Sequence, residues 1–397
     1  MSAVLVVNSG SSSLKYQLID AGSEEALASG LIERIGEPSG HIRHTGPGGD
    51  WETTLAIPDH TAAFRVMLDA FAAEGPSLDE NPLAAVGHRV VHGGKRFFEP
   101  TIVTDLVEIN IEDLSDLAPL HNPANLQGIR AAKKAFPEVE HVAVFDTAFH
   151  QTLAPEAYTY AIDAALAEKH RVRRYGFHGT SHKYVSAAAA EFLGRPPAEL
   201  KQIVLHLGNG ASVCAVDAGR SVDTSMGMTP LEGLVMGTRS GDLDPAVLLH
   251  LARRAGLGID DLDELLNRRS GLLGLSGHGD MRDVRHAAES GDAAARLALD
   301  TTVHRLKHYI GAYTAELGGL DVLTFTAGVG ENDARLRAEV CAGLEVLGIR
   351  LDPERNASPS RDARVISTDD SRVAVLVVPT DEELEIARQS LQAVGAG

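Results

Sequence analysis

Three short tracts run an apolar stretch into glycines and small hydroxyl residues: NSGSSS at 8–13, HLGNGAS at 206–212 and TAGVGEN at 326–332. Glycine lets the backbone approach a phosphate closely, and the exposed N–H groups of such a turn are donors. One such turn alone reads as a tight hairpin; three in one chain point to phosphate binding. No GxxxxGK[ST] occurs, and GVGEN lacks the third glycine of a dinucleotide fingerprint. The nucleotide is therefore expected between two hairpin-bearing domains.

Cations sit in stiff glycine-rich strings: Arg89 in GHRVVHGG, Arg239 in VMGTRSGDLDP, Arg282 in GDMRD and His178 in YGFHGTSH. An arginine beside glycine suits a cleft wall, with its fork on a carboxylate or phosphate. The ordinary alternative is a buried ion pair, such as Arg239 with Asp242 or Asp244. Asp146 ends the apolar run VAVFD, where an acidic group faces a cleft in α/β proteins. Glu382 follows the final apolar run and reads equally as a helix-start carboxylate. An Asn and a Glu near phosphate loops suit Mg²⁺, which takes oxygen ligands and keeps waters. His178 and His182 are four apart, but Gly179-Thr180 disfavours an established helix, and zinc has little support. HExxH and GxSxG are absent.

The elements that must position these residues alternate in type. Strands are expected over 3–7, 14–20, 26–32, 51–57, 84–91 and 139–145, with a helix over 61–73 and another starting at Asn122-Pro123. Helices are expected over 161–169 and 181–193. Then strand, glycine turn and strand return over 202–217. Residues 4–13 and 203–212 echo one another, which suggests domain duplication. Helices dominate 245–317, with breaks over 271–279. A last strand over 373–378 precedes a helix with Thr380 as N-cap and Glu383 completing a capping box. The class is α/β.

The chain has 397 residues, enough for two or three domains. Its net charge of -19 argues against a nucleic-acid or anionic-membrane partner but not against an anionic small molecule. Cys214 and Cys341 are too few for a disulfide framework and read as buried small hydrophobes. No basic leader and no 18-residue apolar run occur, so a cytoplasmic location is expected.

The strings VLVVNSGSSSLKY, GHRVVHGG, PLHNPAN, FDTAFH, YGFHGTSHKYV, HLGNGAS, DTSMGMTPLEGLVMGTRSGDLDP, FTAGVGENDARLR and PTDEELEIA together resemble the acetate and propionate kinase family of the actin-like sugar-kinase superfamily. They span nearly the whole chain. The resemblance implies a two-domain actin-like (ribonuclease H-like) fold with duplicated mixed-sheet cores and an interdomain cleft. It implies an acyl-substrate and phosphate domain over 1–149, a nucleotide-binding and dimerisation domain over 150–383, and a C-terminal helix over 384–397 returning to the first. It also implies a homodimer, and reversible transfer in which ATP plus acetate gives ADP plus acetyl phosphate with Mg²⁺ (or Mn²⁺).

Carried over by motif, Asn8 and Glu382 would be the metal-associated residues. Ser11, Ser13 and Lys15 would lie near the phosphates. Arg89 would grip the carboxylate; Asp146, His178 and Arg239 would surround the transferring phosphoryl group. His206, Leu207, Gly208, Asn209, Gly210, Asp280, Met281, Arg282, Gly328, Val329, Gly330, Glu331 and Asn332 would hold ATP. Val91, Leu120, Phe177 and Pro230 would line the methyl pocket, with His121 nearby. Asp381 stands where the family frequently has Asn, and His278-Gly279 replaces a more Ser- or Asn-rich turn.

An acetate carboxylate is already ionised at pH 7 and needs no general base. Asp146 therefore reads as a positioning group for phosphate and metal-bound water. The chemical difficulty is an anion attacking a polyanion, which Arg89, Arg239, His178 and Mg²⁺ would offset. Rival readings are propionate kinase, a pyrophosphate-type donor and an actin-like ATPase without an acyl substrate.

Overall fold

The apolar opening forms β1 (Ala3–Ser9), buried continuously from Ala3 to Val7. A strand apolar on both faces belongs inside a covered sheet. A computed structural model describes residues 2–395. It divides into two compact units: one runs up to Phe149 and resumes at Asp381, and the other is His150–Thr380.

In the first unit β1 pairs antiparallel with β2 (Ser13–Asp20), which continues to β3 (Ala26–Glu33), β4 (Gly40–Gly46) and β5 (Gly49–Leu55). On its other side β1 runs parallel to β6 (Leu83–Val90), β6 is parallel to β8 (His141–Phe145), and β7 (Thr101–Ile102) closes the edge antiparallel to β8. Leu5, Val7 and Leu14 pack against Phe64 and Met67 of the helix His60–Glu74 and Ala131 of the helix Asn122–Ala135. Val4, Val6, Ala85 and Val144 pack on the opposite face against Ile386 and Ala387 of the helix Glu382–Ala393. Each such buried Val, Leu or Ile contributes about 1.5–3 kcal/mol.

The second unit repeats the plan. β9 (Lys201–Leu207) is antiparallel to β10 (Ala211–Asp217), which pairs with β11 (Arg220–Thr224). β9 is parallel to β12 (Val322–Thr326), which is parallel to β14 (Ala374–Val377), with β13 (Arg364–Val365) antiparallel at the edge. The order β3-β2-β1-β6-β8-β7 thus matches β11-β10-β9-β12-β14-β13 in position and direction. The duplication suggested by the two sequence echoes extends to six strands. Val204, Val322 and Leu376 bury against Val185 and Ala189 of the helix Gly179–Phe192.

Several local expectations need correction. β4 was not anticipated: its inward positions include His44, buried because Tyr16 Oη lies 2.7 Å from its Nδ1. The helix Asp105–Asp113 was also missed, and the one expected from 161 begins at Ala164. DVLTFTAGVGEN, read as a strand, a glycine-rich turn and a helix start, is strand and helix as expected, but no separate turn intervenes: β12 passes directly into the helix Ala327–Asn332 through Ala327 at φ 63°. The N-cap of the last helix is Asp381, which accepts the Leu384 N–H at 2.9 Å. Thr380 cannot serve, because its hydroxyl bonds Ser181 Oγ at 2.8 Å. Among the described residues no helix is long and apolar enough to cross a membrane.

Candidate active site

In the first unit the carboxyl ends of the parallel strands β1, β6 and β8 carry Asn8, Arg89 and Asp146. Ligand sites of α/β sheets form at such ends. Asp146 is buried, with 1% of its side chain exposed, and Arg89 keeps 22%. Arg89 Nε donates to Asp146 Oδ1 at 3.1 Å and Nη2 donates to Oδ2. Glu382 Oε2 stands 3.9 Å from Arg89 Nε. Burial by itself would lower the Arg89 pKa; the charges of Asp146 and Glu382 reverse that and hold it raised. The buried ion pair weighed for Arg239 is thus made by Arg89 instead. Burial pushes the Glu382 pKa up; Arg89 opposes this, and Glu383 and Asp381 add to it.

Lys15, expected at the phosphates, forms an ion pair with Glu383 and so ties β2 to the last helix. Ser11 is exposed and Ser13 half-buried; the Ser13 carbonyl accepts the Gly10 N–H at 2.8 Å to close the turn. Val91 is buried just beyond β6, while Leu120 and His121 are exposed before the helix Asn122–Ala135. Two residues of that helix carry a role the sequence did not assign them. Asn125 accepts the Val91 N–H at 3.0 Å and donates to the Ser9 carbonyl at 2.8 Å. Asn122 accepts the His92 N–H at 3.1 Å and donates to its carbonyl at 3.0 Å. These two buried amides hold the ends of β1 and β6 in register. Their signal was the spacing of three at a helix start, which puts both on one face.

In the second unit His178 precedes the helix Gly179–Phe192 in a left-handed conformation (φ 56°, ψ 25°). Its Nδ1 lies 2.8 Å from Ser212 Oγ, and its ring stacks on His206 at 4.2 Å. Arg239 Nη1 donates to the Pro230 carbonyl at 2.7 Å. A Cβ built on Gly210 would lie 3.2 Å from Arg239 Nη2 and 3.5 Å from His178 Nε2. Guanidinium and imidazole therefore converge on the space that glycine leaves open. Asp242 is no partner for Arg239: it bonds the Gly233 N–H, Tyr309 Oη and Arg305. Burial draws the Arg239 pKa down. Phe177 is buried, its carbonyl accepting from His150 Nε2 at 3.0 Å, and Pro230 is half-buried.

Beside this point lies a pocket of about 730 Å³, an ordinary size for a small-molecule site. Leu207, Gly208, Asn209, Asp280, Met281, Arg282, Gly328, Val329 and Asn332 line it. Val235, Leu272 and Leu306 add an apolar wall that went unnoticed in the sequence. Gly237 donates its N–H to the Asn209 carbonyl at 3.0 Å, and a Cβ there would come within 2.0 Å of Asn209 Oδ1. Only glycine permits that approach.

Other expected nucleotide residues are engaged elsewhere. His206 is buried with Nδ1 2.8 Å from Ser181 Oγ. Gly330 packs toward β9, and Glu331 Oε1 accepts the Thr380 N–H at 3.2 Å. The Arg282 side chain is 90% exposed and forks onto Asp280 at 2.9 and 2.7 Å. It stands at the edge of that pocket, held there because Asp280 caps the helix and captures the guanidinium. Arg337 is fully buried instead. It donates to the Gly330 and Glu331 carbonyls at 2.8 and 2.9 Å and to Asn356 at 2.8 Å, and so fastens the end of the segment 327–332.

Oxygen donors outnumber cations at the strand ends of the first unit: Asp146, Glu382, Glu383 and Asn8 stand with Arg89 and Lys15. Among the described residues no three His, Cys, Asp or Glu side chains converge as a metal cage. Asn8 and Glu382 offer one or two oxygens of the kind a hard divalent ion such as Mg²⁺ takes, with phosphate and water completing its shell.

The acetokinase family model matches residues 3–388. The chain is 82% identical to an acetate kinase of Leifsonia xyli subsp. xyli, with all of both chains covered. It is 67% identical to an acetate kinase of Clavibacter michiganensis subsp. michiganensis over 99% of each. Among solved structures, acetate kinase from Porphyromonas gingivalis superposes with a TM-score of 0.95 at 45% identity, covering 99% of this chain and 100% of that one. A propionate kinase from Francisella tularensis gives 0.92 at 40%, with the same coverage. On these grounds the chain belongs to the acetokinase family and is a phosphotransferase with a carboxyl group as acceptor.

Proposed function

We propose that the chain catalyses ATP + acetate ⇌ ADP + acetyl phosphate by direct in-line transfer, with Mg²⁺ assisting. The observation that carries the reading is the convergence of Arg239 and His178 on the space at Gly210, beside a nucleotide-sized pocket. Arg239 is a half-buried cation whose hydrogen bond goes to a carbonyl and not to a carboxylate, so an anionic phosphoryl group supplies the missing charge. In a loose transition state the charge spreads over equatorial oxygens, which Arg239 Nη2 and His178 Nε2 donate to. Arg89 spends Nε and Nη2 on Asp146 and presents Nη1 to the acetate carboxylate. Asp146 holds that fork in place and takes no proton, because the nucleophile is already ionised. Val91, Leu120, Phe177 and Pro230 form the methyl pocket, with His121 beside it. Asn8 and Glu382 hold Mg²⁺, which neutralises phosphate charge when bound. The backbone of 207–210, 280–282 and 328–332 holds ATP.

The homodimer is part of the same reading, through the second unit. The helices Ala246–Ala255 and Ile259–Arg268 bury none of their residues and expose Val247, Leu249 and Ile259. A cytoplasmic location completes it.

The test is acetyl hydroxamate formation from ATP, Mg²⁺ and acetate with hydroxylamine, run for wild type and Arg239→Ala. Wild type should form product, and the variant should lose about 10²- to 10⁴-fold in kcat with little change in KM for ATP. ATP hydrolysis indifferent to acetate would overturn the reading. Propionate tests the pocket, since one methylene is worth about 1–3 kcal/mol.

A further inference from the structure

His178 and His182 are one helical turn apart and reach the same hydroxyl. Ser212 Oγ, fully buried on β10, lies 2.8 Å from His178 Nδ1 and 2.8 Å from His182 Nε2. A hydroxyl has one hydrogen, so at most one imidazole nitrogen accepts from it and the other must donate to it. If both donated, the buried Ser212 hydrogen would be stranded.

The direction is set at the far end. His182 is fully buried, and its Nδ1 has no hydrogen-bond partner among the described residues. Burial, with lesser contributions from His150 and His206, holds its pKa well below the usual histidine range, so the ring is neutral and has one proton. A proton on Nδ1 would leave an orphaned N–H in the interior. A proton on Nε2 leaves only an unshared lone pair, and unsatisfied buried donors are rarer than unsatisfied acceptors. His182 therefore donates to Ser212 Oγ, and Ser212 donates to His178 Nδ1. The proton of neutral His178 then sits on Nε2, the nitrogen that faces the space at Gly210.

We infer that His182 and Ser212 form a hydrogen-bond relay that fixes neutral His178 as its Nε2–H tautomer, so that a donor and not a lone pair meets the phosphoryl oxygens. His182 and Ser212 are positioning residues: they act through His178. The role of the donor rests on the function proposed above; the tautomer does not.

The test is a long-range ¹H–¹⁵N spectrum of the ¹⁵N-histidine-labelled full chain, recorded above the pH at which His178 loses its second proton. Kinetics are run alongside on Ser212→Ala, His182→Phe and His182→Gln. Wild type should show His178 protonated at Nε2 and unprotonated at Nδ1. Ser212→Ala and His182→Phe should mix the tautomers and lower kcat by roughly 10- to 100-fold, with KM for acetate nearly unchanged. His182→Gln keeps a side-chain N–H donor and should recover much of both signals. A wild-type His178 protonated at Nδ1 would overturn the relay, and so would a Ser212→Ala protein with unchanged tautomer and kcat. Failure of the proposed function would show differently, as a wild type inactive with acetate but still Nε2-protonated.

Discussion

Gly210→Ala separates the site from the fold. The new methyl would lie 3.2 Å from Arg239 Nη2 and 3.5 Å from His178 Nε2, both ends of side chains that can yield a few tenths of an ångström. Gly210 is not among the glycines of positive φ, so alanine brings no backbone strain there. Loss of glycine's freedom in the unfolded chain is worth about 0.4–1 kcal/mol in favour of the fold. The site suffers the opposite effect, because the methyl occupies the space in which the proposed phosphoryl oxygens meet both donors. Misplacement by about 1 Å costs on the order of 10²-fold. We expect kcat to fall about 10²- to 10³-fold, roughly 3–4 kcal/mol in the barrier, while Tm stays level or rises slightly. Hydroxamate formation reads the first and thermal unfolding the second. A variant with near wild-type kcat would refute the convergence of Arg239 and His178 on the reacting group. Activity and Tm falling together would show that Gly210 serves the fold instead.

Arg89→Ala leaves the buried Asp146 carboxylate without its fork. Urea unfolding should show a loss of about 3–5 kcal/mol, partly regained in Arg89→Ala/Asp146→Ala, together with a raised KM for acetate. Arg337→Met strands the Gly330 and Glu331 carbonyls that hold the end of the segment lining the pocket. KM for ATP should rise about tenfold, with KM for acetate within about twofold. Burial pushes the His150 pKa down to about 4, so the folded state takes up its proton later than the unfolded chain. Its contribution is complete above about pH 6.5 and is lost as pH falls toward 4, worth up to roughly 3 kcal/mol. His150→Gln should flatten the acid limb of a stability–pH curve by about one proton; an unchanged limb would show that His150 is not the group titrating.

The reach of the sequence differed from residue to residue. β1 and β9 announced themselves because both faces of each are covered, which demands an unbroken apolar run. β4 was hidden because its inward polar group, His44, is satisfied by Tyr16 from another strand. In DVLTFTAGVGEN the strand and the helix start were legible, but glycine content suggested a separate turn where the chain bends within one residue, Ala327. Thr380 was the expected cap of the last helix, but its hydroxyl bonds Ser181, 199 positions away, and Asp381 caps the helix instead.

By itself the sequence determined the α/β class, the duplicated strand–turn–strand plan and the family. These are properties of local pattern and of strings that any fold must keep contiguous. Only the tertiary structure decided who partners whom: Arg89 with Asp146, Lys15 with Glu383, Arg239 with a carbonyl and an open space, and two histidines with one serine. Hydrogen bonds and charge pairs depend on distances of about 3 Å between residues far apart in the chain, and only folding sets those distances.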